Sequence, residues 1–345
     1  MCLELAIQAA RETNRLPVHV VLRDEEIMLP GTYELAERTA KRPEIDFHWL
    51  IAGQPVINCF NRVMPYFWVF DDRCPELWVR QPPDFAEWIP EQNIQAIASE
   101  KRFPVKAGKL LIDVIGLRTE ESPNRNLGLH SSGGYLTKQD RWGRVKCRPI
   151  YDWKVGDVWR AIHLNGWDYN AAYDTMHRHG INKQHMRISP PTMAVAGAEE
   201  LAVAFRAFPQ WADKVALRLP GTRSVANFGK AALRPIRRST ETWEQCYQRT
   251  CIDEAPQWIA ERARIVRDKV LTQYARHSTK PFPEIQPIHA HGLGLIGSWK
   301  KLADIMYLGD PFAQKTGKYV PYVEPECFRP DLPEHKKKWG GTPQW

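Results

Sequence analysis

At 345 residues, 43% of them hydrophobic and 26% charged, the chain has the composition of an ordinary soluble globular protein, long enough for one large domain or two smaller ones. No apolar run approaches the roughly 18 residues needed to span a bilayer, and Glu4 interrupts the opening apolar stretch, so neither a membrane span nor a signal peptide is read and the expected location is the cytoplasm. A formal net charge of +8 suits polyanionic partners such as nucleotides or nucleic acid, while the seven scattered cysteines form no C-x-x-C pair and so indicate neither a disulfide framework nor a zinc ribbon.

In chain order, Leu3, Ile7 and Ala10 recur at helical spacing and predict a helix over 3–13. PVHVVLR, residues 17–23, is a short β-branched run with the pattern of a buried strand. A turn at Leu29-Pro30-Gly31 precedes a helix over 32–41, and DFHWLIA, residues 46–52, gives a second strand. YFWVFD, residues 66–71, offers another, and residues 72–108, rich in Pro, Trp and charge, read as an insertion over the sheet. KLLIDVIGLR, residues 109–118, is the strongest strand signal. Strands alternating with helical stretches predict an α/β architecture with a parallel sheet and crossover helices. Beyond about residue 180 helical patterns take over, at 198–207, 211–217 and 242–277, the last interrupted near Pro256. The expected organisation is an α/β domain over 1–190, a helical region over 191–280, and an irregular Pro/Gly-rich wrap over 281–345.

Residues 292–297, GLGLIG, match G-x-G-x-x-G by letter, but His289-Ala290-His291 behind a proline is a poor strand and the match does not predict a dinucleotide site. His289 and His291 have no nearby carboxylate or thiol partner, and no metal site is read from the sequence. The loop leaving the strongest strand, IGLRTEESPNR over 115–125, is more informative. Ligands of open α/β sheets bind at the carboxyl ends of the strands. This loop presents Arg118 and Arg125, two guanidiniums able to clamp a phosphate or sulfate, with Glu121 to hold an arginine and Ser122 to meet an anion or cap the next helix. In residues 148–174 Asp152 reads as an N-cap, with Val155, Val158, Trp159 and Ile162 on one helix face. Gly166 ends that helix, and a second begins near Tyr169.

The order of these pieces resembles the phosphoadenosine phosphosulfate (PAPS) reductase family, within the adenine nucleotide alpha-hydrolase-like superfamily of PP-loop ATP pyrophosphatases. The resemblance rests on Gly116, Arg118, Glu121, Ser122 and Arg125; on Pro149, Ile150, Asp152, Trp153, Asp157, Val158 and Trp159; and on Tyr169, Asn170, Tyr173 and Asp174. It covers roughly residues 1 to 190 and is most similar to the phage-encoded branch, which would place the chain in a host cytoplasm. It implies a Rossmann-like parallel sheet with flanking helices, followed by a helical C-terminal part. It also implies an adenine nucleotide ligand, PAPS or ATP, which Mg2+ can accompany, with Asp24 or Glu25 at the ribose or adenine and Gly116 through Arg125 at the phosphates. The family's Ser-Gly-Gly-Lys-Asp-Ser loop would fall just before Met1, which leaves either a late start or a form without that phosphate cradle.

In the family, sulfonate reduction uses a C-terminal cysteine after a glutamate, matched here by Glu326-Cys327. No iron–sulfur cluster is expected, since MRISPP stands at 186–191 where relatives place cysteines. Chemistry common to the superfamily, attack at the α-phosphate, would rely on Arg118 and Arg125. Two alternatives accompany this reading. One is a nucleic-acid-modifying enzyme of the same fold, of the DNA-phosphorothioation type, using Arg234, Arg237, Arg238 and Lys336, Lys337, Lys338 on phosphates. The other is a non-catalytic binding protein. A homo-oligomer is compatible with all three.

Overall fold

The computed structural model describes residues 1–89, 103, 105, 108–140, 143–183, 186–191, 193–285 and 296–328. It is a mixed α/β structure with short parallel ladders, many helices and a helical C-terminal part. The strands in chain order are β1 (Val18–Arg23), β2 (Ile45–Ile51), β3 (Pro55–Ile57), β4 (Tyr66–Trp68), β5 (Glu87–Trp88), β6 (Leu111–Val114) and β7 (Arg144–Cys147). β1, β2 and β5 form a parallel sheet with β2 central; β6 and β7 form a second parallel ladder; β3 and β4 are an antiparallel pair. The chain divides into two units. The first is Met1–Gln54, Val69–Pro190 and Arg206–Trp211; the second is Pro55–Trp68, Pro191–Phe205 and Ala212–Trp345.

In the first unit, helix α1 (Cys2–Glu12) buries Ile7 and Ala10, two of its three periodic apolar positions. Helix α2 (Thr32–Ala40) supplies the crossover that a parallel pair needs, so β1 and β2 align from Val18↔Ile45 to Arg23↔Leu50. As the central strand, β2 buries Ile45, Trp49, Leu50 and Ile51. Asp24, at the exit of β1, is 1% exposed and is the polar centre of this core. Its Oδ1 accepts from Glu26 N at 2.9 Å and from the Tyr33 hydroxyl at 3.2 Å, and its Oδ2 from Trp49 Nε1 at 2.9 Å. One carboxylate thereby joins β1, α2 and β2. Burial pushes its pKa up, against the pull of those donors and of Arg80. Two further ion pairs tie the helices together: Arg42 beyond α2 holds Glu4 of α1, and Arg11 holds Glu44.

Several expected boundaries shift. The strongest strand is only Leu111–Val114, because the chain turns into a loop before Gly116. The run at 66–71 gives a three-residue strand in the second unit, antiparallel to β3. The supposed insertion adds an edge strand, β5, paired to β2 at Leu50↔Glu87. Asp152 is not the N-cap: helix α4 (Val155–Asn165) is preceded by Lys154, whose N–H donates to Asp157 Oδ2 at 2.8 Å. Gly166 ends it in the left-handed region at φ 61°, and the next helix begins at Ala172 rather than near Tyr169. Helix α3 (Pro123–Ser131) follows directly on the arginine loop in the chain.

Besides the β3–β4 pair, the second unit is built from helices, including Thr222–Phe228, Trp243–Tyr247, Gln257–Ala275 and Trp299–Met306. The interruption expected near Pro256 is a π-helical turn, Gln248–Asp253, ahead of the long helix. Tyr247, Cys251, Ala263, Val266, Leu302 and Met306 form its core. Arg262 is buried, and its guanidinium donates to the carbonyls of Gly309, Asp310 and Pro321 at 3.0, 2.9 and 2.6 Å. Of the basic strip, Arg237 donates to the Glu241 carbonyl and Arg238 lies 3.8 Å from the Glu241 carboxylate. Glu241 also accepts two bonds from Arg249, at 2.6 and 2.8 Å. Residues 286–295, with His289, His291 and the first four residues of the GLGLIG run, and Lys336 to Lys338 lie outside the described residues. Among the described residues no helix is long and apolar enough to cross a membrane.

Two outcomes check this account. Gly31 sits at φ +93°, and a Cβ there would come within 2.4 Å of Asn170 Oδ1 and 2.9 Å of Ala172 N. Gly31→Ala is therefore expected to cost about 2 kcal/mol, read as a lower midpoint in urea unfolding. Glu241 is pulled down to about 2, first by Arg249 and then by the Arg238 amide. A depressed carboxylate stabilises the fold above its ordinary value of 4.5 and loses that contribution as pH falls through about 2. The Tm difference between wild type and Glu241→Gln should accordingly be largest near neutrality and close up toward pH 2.

Candidate functional site

The site residues named from the sequence cluster on the loop that follows β6. A Cβ at Gly116 would lie 3.3 Å from Cys2 Sγ and 3.9 Å from Ile150 Cδ1, so the loop backbone runs tight against the first residue of α1. Arg118 donates through Nη1 to Glu120 Oε2 at 2.9 Å and to the Trp153 carbonyl at 3.4 Å. Its backbone N–H reaches Glu121 Oε1 at 3.3 Å, while the other oxygen of Glu121 lies 3.6 Å from Arg125 Nε. One glutamate therefore steadies both arginines. Ser122 caps α3, its Oγ accepting from Arg125 N at 3.1 Å, and Pro123 supplies a first helical position that needs no N–H. The Arg118 side chain is 18% exposed and that of Arg125 42%. The result is a capped helix N-terminus with two arginines beside it, where the helix dipole and the arginine charges together favour an anion.

The second motif segment fixes this loop from behind. Thr119 N donates to the Tyr151 carbonyl at 2.9 Å, and Glu120 Oε2 also accepts from Val155 N at 2.6 Å, at the start of α4. Trp159 of α4 meets Tyr169 and Tyr173 edge-on, with ring centroids 5.5 and 5.2 Å away. Burial pushes the Tyr173 hydroxyl's pKa up while the charge of Arg118 draws it down, which marks Tyr173 as a neighbour of the arginine loop. Asn170, 1% exposed, donates to Thr32 Oγ1 at 2.9 Å and accepts from Ala172 N at 2.8 Å. It docks this segment onto the start of α2, where Gly31 leaves room for it. Tyr169 bonds Asp174 at 3.0 Å. Arg148 is buried, and its guanidinium closes the end of α3 through the Leu129 and Gly134 carbonyls and Ser132 Oγ.

The remaining sequence candidates stand elsewhere. The residues that hydrogen-bond Asp24, namely Glu26, Tyr33 and Trp49, all lie in the core, so its place is that of a structural hub at the β1 exit. Glu25, the next residue, pairs with Arg23. Cys327 is an exposed thiol on a short turn, Pro325–Phe328, of the second unit. Sequence reasoning missed the role of Glu120, which links Arg118 to the amide of Val155. A backbone-to-carboxylate bond across 35 residues leaves no local pattern. It passed over Arg148 as well, although an arginine directly before the Pro149-Ile150 pair was in view.

No protein-family model matches the chain, and no solved structure matches it. Three relatives are instructive. The chain is 25% identical over 179 residues to the adenosine 5'-phosphosulfate reductase of Staphylococcus saprophyticus, covering 52% of this chain and 62% of that protein. To the adenosine 5'-phosphosulfate reductase of Anoxybacillus flavithermus it is 25% identical over 157 residues, 45% of this chain and 56% of that protein. To an uncharacterized Escherichia coli protein, YbdN, it is 26% identical over 163 residues, 42% of this chain and 39% of that protein. The chain thus spans about four- to six-tenths of the length of these relatives. Such distant similarity supports a family like that of the PAPS reductases.

Glu120→Ala is expected to free Arg118 and leave the Val155 amide without this acceptor. We expect a loss of about 1–2 kcal/mol in stability and faster hydrogen exchange at the start of α4, measured on the purified protein.

Proposed function

We propose that the first unit binds an adenine nucleotide carrying a sulfo or phosphoryl group, PAPS, adenosine 5'-phosphosulfate or ATP, with the anionic group held at the arginine loop. The observation that carries this reading is the convergence of Arg118, Arg125 and the capped N-terminus of α3 beside Gly116, where the backbone approaches α1. Several charge-assisted bonds in a fixed array discriminate a tetrahedral oxyanion from a single charge. The names of the two adenosine 5'-phosphosulfate reductases among the relatives point to the same ligand chemistry. The accompanying fold reading is a Rossmann-like sheet, supported by the parallel pairing of β1 with β2 and of β6 with β7.

In this reading Arg118 and Arg125 touch the ligand, Glu121 steadies the loop that carries them, and Tyr173 stands beside Arg118. Asp24 shapes the β1 exit from within the core, and Glu25 with Arg23 lies at its surface. Cys327 is the thiol to test for reduction, in a step separable from binding. Mg2+ would accompany ATP through the phosphates.

The test is equilibrium titration of the full chain with adenosine 5'-phosphosulfate, PAPS and ATP. Arg118→Ala and Arg125→Ala are each expected to weaken binding roughly tenfold or more, since a hydrogen bond to a charged group contributes about 1.5–3 kcal/mol. Cys327→Ser should leave affinity unchanged. Absence of saturable binding for all three nucleotides, or equal binding by both arginine variants, would overturn the reading.

A further inference from the structure

A second constellation lies on the sheet itself, away from the arginine loop. His19 of β1 and Asp46 of β2 are register partners, and His48 is two residues further along β2 and therefore on the same face. Both rings address a single carboxylate oxygen: His19 Nδ1 lies 2.8 Å and His48 Nε2 3.2 Å from Asp46 Oδ2. One ligand atom from each of the three residues falls within 4.8 Å of the other two. In a tetrahedral zinc site with bonds of about 2.0–2.2 Å, ligand atoms stand about 3.4 Å apart, so small side-chain adjustments admit the ion.

The surroundings have the form of a metal site's outer shell. His48 Nδ1, the nitrogen turned away from the cluster, lies 3.6 Å from Glu87 Oε1 on β5. A ligating imidazole typically gives its second N–H to a carboxylate, which fixes its tautomer and strengthens its donor nitrogen. Phe103 packs against both rings, with centroids 4.8 Å from His19 and 5.1 Å from His48. The His48 side chain is 14% exposed and that of His19 52%, so one ligand is fixed while the other faces solvent and leaves the ion an entry path.

We propose that His19, Asp46 and His48 bind a divalent transition ion of the zinc type, with Glu87 orienting His48. Two imidazoles and one carboxylate favour such an ion over Mg2+ or Ca2+, which take oxygen ligands. His19 precedes the end of β1 by four residues, roughly 13 Å along the strand, so the ion sits toward the amino ends of the sheet. It would act there as a staple across β1 and β2, not as a partner of a nucleotide phosphate.

The experiment uses the full chain stripped with EDTA and titrated with Zn2+ against a chromophoric chelator, followed by Co2+ absorption and thermal melting. The expected result is one equivalent of Zn2+, not displaced by excess Mg2+, with a rise in Tm that EDTA reverses. His19→Ala, at an exposed position, should weaken Zn2+ binding by roughly 100-fold while leaving the circular dichroism of the stripped protein unchanged, and Glu87→Gln should weaken it roughly tenfold or more. No stoichiometric binding, or binding unchanged in both His19→Ala and His48→Gln, would overturn the proposal. The last outcome would mean that the ion is held elsewhere on the chain and that Asp46 only hydrogen-bonds two histidines. Nucleotide titration of the same variants keeps this question apart from the proposed function.

Discussion

The first unit is organised around a carboxylate that water does not reach. Asp24 sits where β1 ends, and the three hydrogen bonds it accepts come from the following turn, from α2 and from β2. An acidic group in the interior is costly unless its lone pairs are used, and here the tyrosine, the tryptophan and an amide use them. Once those three donors are committed, the separation of β1, α2 and β2 is set, and with it the register of the parallel pair. Tyr33 is further fixed by its bond to the Glu26 carbonyl and by Arg80 over its ring at 4.2 Å. The tight start of α2 then receives Asn170, and through Asn170 the motif segment behind the arginine loop. A buried polar hub of this kind adds to the apolar contact between its parts, here the stacked Tyr33 and Trp49 rings, because each bond has a required direction as well as a required distance.

Much of this was legible in the sequence, for identifiable reasons. α1, β1, α2 and β2 announce themselves through period, β-branching and the turn residues before Thr32. The helical C-terminal part is equally clear, down to its break before Pro256. What escaped was set by partners far along the chain. Residues 109–118 have the composition of a long strand, but only Leu111–Val114 pairs, because Gly116 is required close to α1 and the chain must leave the ladder to reach it. Asp152 looked like a cap because aspartate favours that position. The helix instead starts two residues later, with Asp157 serving its first turn, and Asp152 hydrogen-bonds Tyr135.

The arginine loop was visible as a set of residue types, and the structure adds how they are restrained. Glu121 engages the backbone N–H of Arg118 and the side chain of Arg125, while Glu120 and the Trp153 carbonyl hold the Arg118 guanidinium. The histidines and Asp46 were invisible by comparison. His19 and His48 stand 29 positions apart, and only the pairing of Val18 with Ile45 brings them to one face. Sheet register is a long-range property, and no local pattern in the chain encodes it.

Arg262 in the second unit shows a different way of holding a chain. Its three acceptors are backbone carbonyls at Gly309, Asp310 and Pro321, and a carbonyl does not titrate. Acid that dissolves the Glu241–Arg249 pair leaves this clamp's acceptors as they were. The segment from Gly309 to Pro321 is thus anchored to the long helix by bonds that remain when the carboxylates are neutral. Acidification should then loosen the second unit in stages, the face around Glu241 yielding first and the turn held by Arg262 retaining its protection until the helix itself comes apart.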